Sequence, residues 1–177
     1  GRGPWAGPVV AAAVILDPGN IPAGLNDSKK LTEARRETLF DPIKQSAIVG
    51  VGIIPAARID DLNILQATFA AMVKAIAELA RPADIALIDG NRAPPLSCKA
   101  ETIIGGDATS LSIAAASIIA KVTRDRLMHE LDRQYPDYHF ASHKGYGTQA
   151  HAAALARLGP CPEHRKSFAP IRALLQR

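Results

Sequence analysis

Cysteine is almost absent from this chain of 177 residues: Cys98 and Cys161 stand alone, with no Cys-x-x-Cys spacing. That pattern excludes a disulfide framework and a cysteine-built zinc site, and it reads as a reduced, cytoplasmic protein. Long apolar runs are missing too. No stretch reaches the ~18 uninterrupted residues of a membrane span, and no secretory signal is expected ahead of the fold. There is no Gly-x-Ser-x-Gly elbow, which argues against a serine hydrolase. The segment "GGDATS" lacks the lysine of a P-loop and the spacing of a dinucleotide fingerprint. Repeats, low-complexity tracts and linkers are all absent.

What is present is ordinary globular composition, 47% hydrophobic and 21% charged, in a length that favours one domain. The net charge of +4 leans toward a polyanionic partner. "PVVAAAVIL" is a short apolar run closed by Asp17-Pro18-Gly19-Asn20, hence a buried strand and a turn. A helix follows with Thr32 as N-cap, Glu33 in its first turn and Pro42 as a kink near its end. "AIVGVGIIP" predicts a second strand ending at Pro55. From Asn63 to Ala80, apolar residues recur at helical spacing. "DIALIDGN" and "AETIIGGD" predict strands that end on acids. A long helix then runs to Pro136, and a loop containing "SHKGYGT" leads to a helix from Gln149 to Leu158, closed by Gly159-Pro160. The tail from 161 to 177 ends in a short basic helix. Alternating strands and helices predict one α/β domain with a mixed sheet flanked by helices.

Asp89 and Asp107 are the candidate chemical residues, each read as the last acid of a strand, where open α/β sheets bind ligands. Two such carboxylates, oxygen donors only, suit Mg2+ or Mn2+ rather than zinc. Each acid could equally do no more than cap a turn or helix. His139 and His143 stand four apart, but Pro136 and Gly145 bracket them and argue against a helical metal pair. Asp60-Asp61 is expected at a helix start, and Lys121 with Asp125 as a surface pair. Lys29 and Lys30 beside Asn26 and Ser28, Lys144 beside Tyr146, and Arg165-Lys166 in the tail have the composition of a nucleic-acid groove. A solvated basic face would look the same.

Taken together, "GRGPWAGPVVAAAVILDP", "LNDSKKL", "DDLNILQAT", "LIDGN", "GGDATSLSIAAASIIAKVTRDR", "HKGYGT" and "EHRKSFAPIRAL" resemble bacterial ribonuclease HII, in order and spacing, over the whole chain. The resemblance implies a ribonuclease H-like fold with a mixed five-stranded sheet. It implies a metal-dependent endonuclease that cuts the RNA strand of RNA–DNA hybrids and single ribonucleotides embedded in duplex DNA, as in ribonucleotide excision repair. The products would be a 3′-hydroxyl and a 5′-phosphate. In the family four carboxylates hold two divalent cations, Mn2+ or Mg2+, and Asp89 and Asp107 match the third and fourth. Gly1, Arg2 and Gly3 match the backbone element that approaches the 2′-hydroxyl. Tyr146 matches the tyrosine that touches it, and Asn26, Ser28, Lys29 and Lys144 fit phosphate contacts. The partners implied are RNA–DNA hybrid and ribonucleotide-containing DNA, with no membrane, and the protein is expected to be a monomer.

The family's other two acids, Asp and Glu, would stand three and two positions before Gly1. The first strand is therefore expected to be missing from the chain as written, which on its own is expected to be inactive. The competing reading is a hybrid-binding module without catalysis, and a nucleotide phosphatase using the same two acids is a third.

Overall fold

The structure, a computed structural model, describes residues 1–176. Among these residues four strands and eight helices follow in order. Strand β1 is Val9–Leu16, and the turn after it is closed by the Asp17 carboxylate, which accepts the Gly19 N–H at 2.9 Å. Helix α1 is Glu33–Ser46, with the Thr32 hydroxyl accepting the Arg35 N–H as N-cap. Pro42 lies within α1 and does not end it. Strand β2 is Ala47–Ile54. Helix α2, Ala56–Leu62, is absent from the sequence reading, and it changes the place of Asp60-Asp61. Those acids close a helix and do not start one. Asn63 then turns the chain at φ 69°, and its side-chain oxygen accepts the N–H groups of Leu65 and Gln66 at the head of α3, Ile64–Ala77.

Strand β3, Ile85–Asp89, pairs in parallel with β4, Lys99–Ile103. Helix α4 is Gly106–Thr109 and α5 is Leu111–Gln134. A 3-10 turn at Pro136–Tyr138 and the short α6, Phe140–His143, occupy part of the predicted loop. Helix α7 is Gln149–Leu158, capped by Thr148 and stopped at Gly159, and α8 is Ala169–Leu175. Among the described residues the strands form two two-stranded sheets, β1–β2 and β3–β4, where the resemblance implied one sheet of five. No helix among them is long and apolar enough to cross a membrane, and both cysteines are free.

The chain folds into two compact units. One comprises Gly1–Val9, Ile54–Thr68 and the chain from Thr123 onward; the other comprises Val10–Ile53 and Phe69–Val122. In the second, Leu39, Phe40 and Ile43 of α1 pack against Ala115, Ile118, Ile119 and Val122 of α5. Each large side chain buried this way contributes about 1.5–3 kcal/mol. Strand β2 meets α3 through small residues: a Cβ at Gly50 would lie 2.0 Å from the Ala75 carbonyl oxygen, and one at Gly52 1.9 Å from that of Ala71. The glycines are there because two backbones touch.

In the first unit Ala6, Met128, Tyr138, Phe140, Ala154, Leu155, Cys161 and Ile171 form the core, with Tyr138 and Phe140 stacked at 5.3 Å. The Asp60 carboxylate accepts the N–H groups of Lys166 and Ser167 and the Ser167 hydroxyl, at 2.9, 2.8 and 2.6 Å. It fixes the segment that leads into α8.

Candidate active site

Asp89 ends β3, where the parallel ladder stops at the pair Asp89–Ile103. Beyond Ile103, Gly105 adopts φ 69°, and this left-handed turn lets the Gly106 N–H donate to Asp89 Oδ1 at 3.0 Å. Asp107 is therefore not the last residue of a strand, as the sequence suggested. It lies in the first turn of α4, delivered next to Asp89 by the Gly105-Gly106 bend. Asp107 is 6% exposed, and Lys29 Nζ stands 2.9 Å from its Oδ2. That hydrogen bond, ahead of burial, sets the balance: the Asp107 carboxyl is held below the usual carboxylate range. Lys29 is raised in return, by Asp107 first and then by the charges of Asp27 and Asp89.

The loop carrying Lys29 is shaped from within. Asp27 Oδ1 accepts the Lys29 N–H at 2.9 Å, and Asn26 Oδ1 accepts the Asp27 N–H at 2.8 Å. Ser28 is only 8% exposed; its hydroxyl pairs with that of Ser117 at 2.5 Å, and its carbonyl accepts from buried Arg36 at 2.8 Å. The side chains of Asn26 and Ser28 thus hold the loop, and Lys29 and Lys30 are its exposed cations, of which Lys29 reaches Asp107.

These groups fit a divalent cation in donor chemistry. Two carboxylates from adjacent elements offer hard oxygens, and the Lys29 ammonium already places a positive charge on one of them. Among the described residues no group of three or more histidines, cysteines or carboxylates is gathered to hold an ion.

Gly1, Arg2, Gly3, Lys144 and Tyr146 lie in the other unit. A Cβ at Gly3 would touch the Tyr146 ring at 3.8 Å, and one at Gly1 would collide with the Arg124 side chain at 2.5 Å. Tyr146 is 45% exposed, and the Arg124 guanidinium lies 6.0 Å from its ring centre. Lys144 adopts φ 51°, and its ammonium is bound to the Ala141 carbonyl and to His129 Nε2. Gly145, at φ 79°, lets Ala6 approach so closely that a Cβ would sit 2.5 Å from the Ala6 oxygen.

Two arginines that sequence reading did not single out for this role hold the N-terminal segment. Arg165, assigned above to a basic groove with Lys166, is fully buried and has no surface to offer a phosphate. Its guanidinium donates to the carbonyls of Gly1, Arg2, Gly7 and Pro8 at 2.8–3.1 Å. Arg124 donates to those of Ala6, Pro8 and Lys144 at 2.9–3.0 Å. Burial, and the neighbouring Arg124, push the pKa of Arg165 down. The expected surface pair of Lys121 and Asp125 is likewise corrected, since Asp125 is 3% exposed.

Behind Tyr146 runs a line of three histidines. The Cys161 N–H donates to His164 Nδ1 at 3.0 Å, so the proton of His164 is on Nε2, 3.0 Å from His151 Nε2. His151 then carries its proton on Nδ1 and donates to the Tyr146 carbonyl at 2.9 Å. His143 donates from Nε2 to the Tyr138 carbonyl and accepts the Gly145 N–H at Nδ1, so it forms no metal pair with His139. All three rings are depressed in pKa chiefly by burial, His164 to about 4.

A family model described as Ribonuclease HII matches residues 1–171. Ribonuclease HII of Azorhizobium caulinodans is 60% identical over 173 residues, covering 98% of this chain and 67% of the relative. That of Parvibaculum lavamentivorans is 58% identical over 176 residues, covering 99% and 65%. The chain spans about two-thirds of the length of these curated relatives. Among solved structures, the ribonuclease H2 of Pyrococcus horikoshii OT3 aligns with a TM-score of 0.83 at 25% identity, covering 99% of this chain and 93% of that one. The α/β fold is that of the ribonuclease H group.

Proposed function

Because this chain belongs to the ribonuclease HII family, we propose that it serves in a metal-dependent endonuclease acting on RNA–DNA hybrids and on single ribonucleotides in duplex DNA. The observation that carries this reading is the meeting of Asp89, Asp107 and Lys29 at the end of β3. A parallel strand end, a glycine bend and a cationic loop bring two carboxylates and one ammonium together, and the carboxylates are the oxygen donors that metal-assisted phosphodiester chemistry uses.

In this reading Asp89 and Asp107 hold Mn2+ or Mg2+ through their oxygens. The ion, when bound, supplies charge stabilisation and activation of water at the scissile phosphate. Lys29 has two parts to play. Without substrate it neutralises Asp107, and with substrate its exposed ammonium turns to a phosphate oxygen. Tyr146 and the Gly1–Gly3 backbone read the 2′-hydroxyl, the one group that separates RNA from DNA at a given position. Cleavage leaves a 3′-hydroxyl and a 5′-phosphate.

The test uses the full-length protein and a labelled DNA duplex with one embedded ribonucleotide. Asp89→Asn and Asp107→Asn are each expected to lower Mn2+- or Mg2+-dependent cleavage by at least ~10³-fold, about 4 kcal/mol of barrier. Cleavage that survives both substitutions refutes the assignment. Turnover of free nucleotides with no duplex cleavage favours a phosphatase.

A further inference from the structure

The N-terminal segment is held almost entirely by its carbonyls. Those of Gly1, Arg2, Gly7 and Pro8 accept from Arg165, those of Ala6 and Pro8 from Arg124, and that of Trp5 from the Arg165 N–H at 2.8 Å. The amides of Trp5 and Gly7 are also used, donating to Gly145 and Glu163 at 2.8 and 2.9 Å. Of the amides left without a partner among the described residues, that of Ala6 is buried, while those of Arg2 and Gly3 stand on consecutive, exposed residues. With the Gly1 and Arg2 carbonyls turned to a guanidinium, the free amides of Arg2 and Gly3 can donate hydrogen bonds outward.

We propose that Arg165 is a positioning residue for ribose recognition: by fixing the Gly1 and Arg2 carbonyls inward, it aims the Arg2 and Gly3 amides at an acceptor oxygen of the nucleic acid. This rests on the reading that Gly1–Gly3 meets the 2′-hydroxyl, and it adds which atoms read it and what aims them. The hydroxyl oxygen is an acceptor, and a deoxyribose presents none at that position. The planar fork matters, because one guanidinium grips four carbonyls at fixed angles while an ammonium is a single point with three rotatable donors. Burial also makes the grip stiff. Arg165 is fully buried, so its fork cannot turn to water instead, and the amide direction is set before substrate arrives.

The test measures binding in the full-length protein with Ca2+ in place of the active ion, so that no substrate is cut. Two duplexes are compared, one with a single ribonucleotide and one all-DNA, for the unmodified protein and for Arg165→Lys. The unmodified protein is expected to prefer the ribonucleotide duplex at least ~10-fold. Arg165→Lys is expected to lose most of that preference while binding all-DNA duplex within about twofold, a split that a general loss of folding would not produce. Equal preference in variant and unmodified protein overturns the positioning role and leaves the ribose reading intact. No preference in the unmodified protein overturns the ribose reading itself. A second measurement needs no substitution: amide order parameters of Arg2 and Gly3 in the free protein. Values matching the core support pre-aimed amides, and values typical of a mobile end overturn the proposal.

Discussion

Acid should weaken this protein through one imidazole. His164 is fully buried, its Nδ1 accepts from the Cys161 N–H, and its Nε2 faces His151 Nε2 at 3.0 Å. A proton added to His164 would sit against an N–H donor that already points at it, on a fully buried ring. Burial first, and then the charge of His151, depress its pKa from 6.5 to about 4. The folded protein thus binds fewer protons than the unfolded chain between those values. Stability is whole above about pH 6.5 and is lost progressively as the pH falls through that window toward 4. The loss by about pH 4.5 is roughly 2.5 kcal/mol from this ring alone, or about 5–10 °C in Tm for a chain of this size. His143 and His151 are depressed in the same sense and add to it. Thermal unfolding followed by circular dichroism, at steps from about pH 8 to 4.5, measures this directly. His164→Gln should be less stable at neutral pH, with partners lost at both ends, yet should show a markedly flatter acid slope. Parallel pH profiles for the two proteins would refute the assignment of the acid sensitivity to His164.

Two further outcomes follow from packing and charge. Gly52→Ala drives a methyl group to 1.9 Å from the Ala71 carbonyl oxygen, which forces β2 and α3 apart; a loss of about 1–3 kcal/mol or more is expected in urea denaturation, and an unchanged midpoint refutes the close contact. Duplex binding should weaken with salt, but with Arg165 buried the contacts reduce to Lys29, Lys144 and Lys166, for a log–log slope near about −3. A flat response argues against nucleic acid as the partner.

Much of the architecture is legible in the residues. Thr32 and Thr148 cap their helices as their side chains allow, Gly159 ends α7, and the β-branched runs at Val9–Leu16 and Ala47–Ile54 are strands. Helix α2 escaped because a seven-residue helix turning only Ala56 and Ile59 inward leaves too little periodic signal. Asp107 was misplaced because a strand pattern running into Gly105-Gly106 does not say where pairing stops, and only the positive φ of Gly105 and the Asp89 contact decide it. The burial of Arg165 had no local signal at all. In a tail reading Glu-His-Arg-Lys-Ser, an arginine looks solvated, and its real partners are carbonyls about 160 residues away. The three histidines are equally invisible in sequence, since their line depends on how α6, α7 and the Cys161 turn fold onto one another.

The reach of Arg165 has a consequence for synthesis. The carbonyls of Gly1 and Arg2 find their donor 164 and 163 residues later. At about 5–20 residues per second on the ribosome, that interval is on the order of ten seconds or more. Throughout it, the segment from Gly1 to Pro8 has neither of its arginines until Arg124 emerges, and lacks the larger share of its bonds until Arg165 does. Over that interval the nascent Gly1–Pro8 segment therefore lacks most of the bonds that hold it in the folded protein, and it stays open to proteases and to chaperones. The amides that would read a ribose are set only once the chain beyond α7 has been made.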